Sequence, residues 1–436
     1  MELFIKKNPL APDETKIQCL GIPGIESPLL NSQFSNEKQR VLYSPYYQAS
    51  SSEIPVSFEV AGPRKKIFFE PAKVKAAIVT CGGICPGLNN VIRAIVLGLY
   101  NSYGVRSIFG IQYGMQGLSP DYGHPLIDLS PETVANIHKQ GGTILGTSRG
   151  EQSIDEAVNT LESLDLSMLF VLGGDGTFRA AQKIAEEVQN RKLKIAVIGV
   201  PKTIDNDISY VYHSFGFDTA VEEAAKAIQS AHIEAKSSPN GIGLVKLMGR
   251  HSGFIAATAA LAQRDVNFVL VPEVDFDLDG RFGFLEAVRN QVVQNEYAVI
   301  VVAEGAGQKY FETDSVEKDA SGNLRLHDIG YFLKQTIKNH FDENKIEVNI
   351  KYIDPSYLIR SVPANKSDAL FCERLGQNAV HAAMAGKTSM LVTQWQFVFC
   401  HNPLHLATRQ RKQIHPGGAL WNSVLETTRQ SNFHSS

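Results

Sequence analysis

The sequence predicts an α/β protein built from parallel sheets with helices on both faces. Three observations carry this. Short apolar runs, the mark of strands buried on both faces, alternate with stretches of helical periodicity along nearly the whole chain. Glycine-rich turns repeatedly join the end of such a run to the start of a helix. Polar and charged residues gather at the carboxyl ends of the runs, the edge at which open parallel sheets bind ligands.

Residues 1–72 read as an N-terminal extension packed on the main body. They hold scattered prolines, a polar stretch from Asn31 to Gln39 and the run Gln48-Ala49-Ser50-Ser51-Ser52. Val56-Ser57-Phe58-Glu59-Val60 alternates like an edge strand. Residues 1–7 lack the apolar core of a signal peptide. The pattern sharpens at residues 74–80, a buried strand that runs into Cys81-Gly82-Gly83-Ile84-Cys85-Pro86-Gly87 and a helix over residues 88–96. This turn is not GxGxxG, and no acidic residue stands at the ribose-binding distance, so dinucleotide binding is discounted. A further strand spans residues 107–111 and leads to Tyr113-Gly114-Met115-Gln116-Gly117-Leu118. The small-residue loop Gly141-Gly142-Thr143-Ile144-Leu145-Gly146-Thr147-Ser148 ends on Arg149, and an arginine so placed suits a phosphate.

The organising stretch follows the strand at residues 167–171. Leu172-Gly173-Gly174-Asp175-Gly176-Thr177 lies where that strand turns into a helix. Glycines let backbone amides approach an anion closely, and a helix N-terminus favours negative charge. An aspartate among such amides fits a residue that holds Mg²⁺ on phosphates. As plain structure the stretch would be a tight turn with a capping Asp. The next strand, residues 194–200, meets Pro201-Lys202-Thr203-Ile204-Asp205-Asn206-Asp207. Two carboxylates and a lysine at a strand end beside Asp175 point to catalysis rather than to a solvated turn. An amphipathic helix over residues 219–235 leads to a strand at 242–247 and then Met248-Gly249-Arg250-His251-Ser252-Gly253. Strands at 268–273 and 298–303 have acidic ends, at Glu273 and Glu304. A strand at 348–353 precedes Asp354-Pro355-Ser356-Tyr357-Leu358-Ile359-Arg360. His251 receives no role. The tail from Gln394, with Arg409, Arg411 and Lys412, reads as solvated surface.

Bulk properties bound the function. A chain of 436 residues accommodates one large or two medium domains and a sizeable core. A formal charge of −3 speaks against a dedicated nucleic-acid binder. No apolar run reaches the roughly 18 residues of a membrane span. The five cysteines are irregularly placed and lack zinc spacing, which predicts reduced thiols and a cytoplasmic protein. No short-period repeat is present.

The motifs, taken together and in order, resemble the 6-phosphofructokinases over about residues 74–390, most closely the plant, trypanosome and spirochaete type, in which an N-terminal extension is usual. The resemblance rests on Thr80-Cys81-Gly82-Gly83 with Pro86-Gly87-Leu88-Asn89, on Gly173 to Thr177, on Pro201 to Asp207, on Met248-Gly249-Arg250, on Glu304-Gly305 and on Pro355 to Arg360. It implies two Rossmann-like domains with a cleft between them: a nucleotide-binding domain over 73–213 plus about 355–410, and a sugar-phosphate-binding domain over 214–354 plus the tail. It implies phosphoryl transfer to fructose 6-phosphate, giving fructose 1,6-bisphosphate. Gly82, Arg149, Gly174, Gly176 and Thr177 would hold the donor's phosphates, and Asp175 would ligate Mg²⁺. Lys202, Thr203, Asp205 and Asp207 would form the catalytic loop, with Asp205 as general base. Met248, Gly249, Arg250, Glu304, Lys351, Tyr357 and Arg360 would bind the sugar phosphate, together with Thr203 and Asp205. The family's homo-oligomers, dimers or tetramers, share sugar sites between subunits. Here Asn240-Gly241 and Lys351 stand where simpler bacterial enzymes carry arginines, and lysine lacks the bidentate fork.

Two residues speak to the donor. Pyrophosphate-using relatives carry an aspartate at the position of Gly176 and a lysine at that of Lys202. The glycine favours ATP, because a carboxylate there would oppose the α-phosphate by bulk and charge. A lysine serves either donor. ATP is the expected donor; the alternatives are a pyrophosphate-dependent enzyme and, in another class, a non-catalytic regulatory subunit that senses nucleotide or sugar phosphate. The set Asp175, Asp205, Asp207 and Arg360 argues against a silent subunit, and residues 201–207 with Tyr357 and Arg360 argue against a lipid or NAD kinase.

Overall fold

The computed structural model describes residues 10–30, 33–46, 55–311 and 325–434. Residues 1–7, Asn31 and the run 48–52 considered above lie outside the described residues. In chain order, the strands of the two main sheets are β1 (Arg40–Leu42), β2 (Ser57–Val60), β3 (Lys75–Thr80), β4 (Ser107–Ile111), β5 (Leu126–Asp128), β6 (Met168–Gly173), β7 (Ala196–Pro201), β8 (Gly241–Leu247), β9 (Phe268–Leu270), β10 (Tyr297–Ala303), β11 (Asn349–Ile353), β12 (Met390–Trp395) and β13 (Val398–Pro403). The principal helices are α1 (Leu88–Leu97), α2 (Ile154–Ser163), α3 (Asp175–Asn190), α4 (Phe217–Lys236), α5 (Phe254–Gln263), α6 (Phe284–Asn295), α7 (Ile329–Glu343) and α8 (Lys366–Met384). The chain divides into a larger unit, residues 10–217 with Ser361–Arg411, and a smaller one, Asp218–Arg360 with residues 412–434.

The larger unit carries a nine-stranded sheet in the order β1-β2-β13-β12-β7-β6-β3-β4-β5. The central five strands, β12 to β4, are parallel. Both flanks are antiparallel, so the sheet is mixed where strand–helix alternation predicted a parallel one. Alternate residues of the central strands, among them Val79, Val171 and Val197, share a core with Leu161 of α2 and with Phe178 and Ile184 of α3. Their neighbours Ile78, Phe170 and Ile198 are equally buried on the opposite face, as strand alternation requires. The apolar runs are continuous because both faces are covered.

β2 is not the edge strand that its alternation predicts. It lies between β1 and β13, and the consecutive residues Phe58 and Glu59 are both buried. Glu59 tolerates this because Arg64, Lys387 and His401 each reach its carboxylate at 3.0 Å.

The connectivity places a topological switch point. β4 lies on one side of β3, whereas β6 and β7 continue on the other. The crevice at the carboxyl ends of β3 and β6 is therefore where an open α/β sheet binds its ligand.

The smaller unit is a four-stranded parallel sheet in the order β9-β10-β8-β11. Its core includes Leu244, Ile300, Phe276, Phe284 and Phe341. α4 lies so close to β8 that a Cβ on Gly243 would come within 2.6 Å of the Ala231 carbonyl oxygen. β9 stops at Leu270 rather than reaching residue 273, since Pro272 has no N–H for the ladder.

No helix among the described residues is long and apolar enough to cross a membrane. The five cysteines are free thiols, and burial pushes the Cys81 thiol up to about 12, which makes it inert.

Candidate active site

In the larger unit, three loops leave the carboxyl ends of β3, β6 and β7 and are tied to one another. After β3 the chain turns through Gly82 at φ +81°, a conformation that L side chains adopt only with strain. The Gly82 N–H donates to the Ser148 carbonyl at 3.3 Å, and its carbonyl accepts from Thr147 Oγ1 at 2.6 Å. Thr80 Oγ1 donates to the Gly146 carbonyl at 2.6 Å. On α1, Asn89 Oδ1 accepts from the Ile144 N–H at 3.0 Å. The loop that carries exposed Arg149 is thus fastened beside the first glycine turn.

β6 passes directly into α3. The cap residue Gly174 offers no side-chain acceptor, and the first turn of the helix is closed by Phe178 N–H on the Gly174 carbonyl at 3.0 Å. The amides of Asp175, Gly176 and Thr177 are the first N–H groups of the helix and have no intrahelical acceptor. The glycines differ in purpose. A Cβ on Gly173 would lie 2.3 Å from the Thr177 side chain, so packing demands glycine there. A Cβ on Gly176 would meet nothing within 4 Å, and its backbone is helical. The fold therefore does not require glycine at that position.

The third loop follows β7. Lys202 is buried, its N–H bonds to the Gly173 carbonyl at 2.9 Å and its Nζ to the Gly83 carbonyl at 2.8 Å, so one lysine joins all three strand ends. Thr203 Oγ1 accepts from the Asp205 N–H at 3.1 Å and lies 3.3 Å from Asp207 Oδ1 as donor. Ser214 Oγ bonds to the Thr203 carbonyl at 2.8 Å, and its N–H bonds to Asn206 Oδ1 at 3.1 Å. Asp207 is buried, whereas Asp205 is half-buried.

Asp175 is the first residue of α3. Its Oδ2 accepts from Arg179. Its Oδ1 is buried and has no hydrogen-bond partner among the described residues. Burial pushes this carboxyl above the ordinary carboxylate range, against the opposing pull of Arg179 and Arg411. A buried carboxylate oxygen without a protein donor, with Asp207 close enough to raise its pKa further, fits the hard oxygen set that Mg²⁺ takes.

Arg411 corrects the reading of the tail as solvated surface. Its Nη2 lies 3.6 Å from Asp175 Oδ2, and its Nη1 lies 3.5 Å from Asp207 Oδ2. It stands 204 residues from Asp207 in sequence, so no local pattern marks it. Arg409 instead pairs with Glu14 at 2.9 Å, and the Lys412 ammonium lies over the Phe254 ring.

In the smaller unit, Met248-Gly249-Arg250 follows β8, and Glu304-Gly305 follows β10 beside it. Glu304 N–H bonds to the Leu247 carbonyl at 2.9 Å and Gly305 N–H to the Gly249 carbonyl at 3.1 Å. Gly249 adopts φ +135°, and a Cβ on Gly305 would lie 1.9 Å from the Arg250 carbonyl oxygen. Burial raises the Glu304 carboxyl, and the Arg250 charge opposes this. After β11 the Arg360 guanidinium lies over the Tyr357 ring at 4.9 Å, and that ring is largely exposed. Lys351 stands mid-strand in β11, in register with Gly243. A residue not singled out in the sequence, Lys246, holds this sheet edge together: its Nζ reaches Asp354 at 2.8 Å and Asp328 at 3.2 Å. Burial alone would lower its pKa, but the Asp354 hydrogen bond and the surrounding negative charge outweigh it and hold the ammonium above its ordinary value. Its place directly before Leu247-Met248-Gly249-Arg250, facing inward from a buried strand, was the available sign.

The phosphofructokinase family pattern matches residues 75–383. An ATP-dependent 6-phosphofructokinase of Borreliella burgdorferi is 51% identical over 430 residues, covering 95% of this chain and 96% of that protein. An ATP-dependent 6-phosphofructokinase of Trypanoplasma borreli is 43% identical over 432 residues, covering 96% of this chain and 88% of that protein. Among solved structures, a pyrophosphate-dependent phosphofructokinase of Nitrosospira multiformis superposes with a TM-score of 0.67 at 20% identity, over 83% of this chain and 93% of that one. At that identity the likeness bears on the fold alone.

Proposed function

The chain belongs to the phosphofructokinase family, and from that premise we propose how its residues divide the work. The reaction is transfer of a phosphoryl group from ATP to the 1-hydroxyl of fructose 6-phosphate, giving fructose 1,6-bisphosphate. Gly174, Gly176 and Thr177 present backbone amides to the donor phosphates, Gly82 lets the first turn come close to them without a side chain, and Arg149 adds a forked cation. The observation that supports this most strongly is the first turn of α3, with uncapped amides behind the open space at Gly176. Asp175 would hold Mg²⁺, which when bound would neutralise the charge that develops on the phosphate oxygens.

Asp205 takes the proton of the sugar 1-hydroxyl as that oxygen attacks. Of the two loop carboxylates it is the more exposed, whereas Asp207 is engaged with Thr203 and Arg411. Thr203 orients the loop. Lys202, fixed to the Gly83 carbonyl, places its positive charge near the transferring group. Arg250 and Arg360 bind the sugar's phosphate, Glu304 and the Met248-Gly249 turn bind the sugar, and Tyr357 forms the platform on which Arg360 rests. Lys351 contributes a point charge to the same function.

We place the enzyme in the cytoplasm, because phosphorylated substrates do not pass membranes unaided. We read it as a homo-oligomer, dimer or tetramer, which sedimentation measures directly. The test of function is turnover of fructose 6-phosphate with Mg²⁺ and either ATP or pyrophosphate. ATP supports turnover, and pyrophosphate at equal concentration supports far less. Turnover with pyrophosphate at or above the ATP rate would contradict the reading of Gly176.

A further inference from the structure

Among the described residues, two arginines reach Asp175, and one of them also reaches Asp207. Arg179 belongs to the same helix as Asp175, an ordinary i,i+4 pair. Lys202 faces the Gly83 carbonyl. Arg411 reaches across from a remote part of the chain and stands 3.6 Å from Asp175 and 3.5 Å from Asp207. Its backbone is fixed there by an antiparallel bridge to Ile208, the residue after Asp207. Its side chain is about two-thirds buried, at 33% exposure, so its charge is only partly screened.

We propose that Arg411 is a resident counter-cation that competes with the divalent metal for Asp175 and Asp207. The proposal rests on the reading of Asp175 as metal ligand. Two carboxylates this close repel each other, and a guanidinium between them relieves that repulsion. The same positive charge opposes entry of a second cation. Arg411 therefore tunes metal affinity downward, so that the metal is held firmly only when the phosphates of the donor add their own negative charge. Arg411 is a positioning residue in this account; it acts on the carboxylates and through them on the metal.

The experiment measures Mn²⁺ affinity of the full-length protein by electron paramagnetic resonance, without nucleotide. Arg411→Met binds Mn²⁺ at least about fivefold more tightly than the parent, the equivalent of roughly 1 kcal/mol for a partly screened charge. Arg411→Gln keeps polar contact without the charge, and it reads the same effect should the methionine variant not fold. Arg409→Met, whose parent side chain pairs with Glu14, leaves the affinity unchanged. Unchanged or weaker binding in the Arg411 variants overturns the proposal, as does equal tightening in Arg409→Met, which would show a mere net-charge effect. Asp175→Asn separates the two layers. If it binds Mn²⁺ as the parent does, the metal assignment itself fails. If it loses Mn²⁺ while the Arg411 variants match the parent, only the competition fails.

Discussion

Thr203 and Asp207 are joined side chain to side chain, Oγ1 to Oδ1 at 3.3 Å, and the same Thr203 oxygen accepts the Asp205 N–H at 3.1 Å. One hydroxyl thereby contacts both acidic residues of the loop. It engages the Asp207 side chain but only the backbone of Asp205. The two acids are distinguished by this contact: the Asp207 carboxylate is held by the Thr203 hydroxyl, and the Asp205 carboxylate is not.

Asp205→Ser lowers kcat by about 10²–10⁴-fold, the scale of a lost general base. Binding of fructose 6-phosphate changes little, since the carboxylate acts mainly in the transition state. Steady-state kinetics with separate determination of the fructose 6-phosphate Kd checks this. A near-normal kcat would remove Asp205 from the role of base.

Asp175→Ala abolishes turnover and leaves the protein folded. The residue sits at the first position of α3, where an acid contributes about 0.3–1 kcal/mol through the helix dipole. Its Oδ1 contributes no hydrogen bond to the fold. Circular dichroism and a melting curve alongside the activity assay decide the matter: an unfolded variant would assign Asp175 a mainly structural role.

His381 introduces a pH dependence away from the site. Burial lowers its pKa from the ordinary 6.5 to about 4, with Arg64 and His401 adding to the effect, and its Nδ1 lies 2.8 Å from the Tyr103 hydroxyl. The folded protein holds it neutral while the unfolded chain takes up a proton. Its contribution is therefore present above about pH 6.5 and is lost as pH falls toward 4, roughly 3 kcal/mol at most. His381→Gln lacks that proton uptake, so its Tm declines less steeply than the parent's between pH 7 and pH 4.5. Parallel declines would show that His381 carries no such linkage.

The parts of this molecule legible in the sequence were those governed by local chemistry. The β6–α3 junction declared itself, because a buried strand, two glycines and a helix in succession fix one backbone geometry. The Pro201 to Asp207 loop was legible from its charges at a strand end. Less legible was everything set by strand order. The alternation of β2 reads as an edge strand, yet its partner β13 comes from more than 300 residues away. Glu59 is buried only because Lys387 and His401 arrive from more than 300 residues away. Arg411 was missed for the same reason: a charged tail is solvated on average, and nothing nearby in sequence announces the bridge to Ile208. Gly176 shows the opposite case. Sequence alone leaves open whether its glycine serves the backbone or the ligand, and its helical backbone with open space around it shows that the fold does not require glycine there.

The central claim is that the first turn of α3 receives the nucleotide's phosphates and that Gly176 keeps the way clear. The most direct measurement is kcat/KM of Gly176→Asp with ATP and with pyrophosphate, at saturating fructose 6-phosphate and excess Mg²⁺. A Cβ at Gly176 meets nothing of the protein within 4 Å and needs no unusual backbone, so the variant folds and any loss reports on the ligand. The added carboxylate opposes the phosphates by bulk and by charge. ATP-dependent kcat/KM falls by at least about 10²-fold, equivalent to roughly 2.7 kcal/mol of transition-state stabilisation, and activity with pyrophosphate is reduced less or rises. A variant that used ATP as well as its parent would contradict the account, because the donor's phosphates would then lie elsewhere.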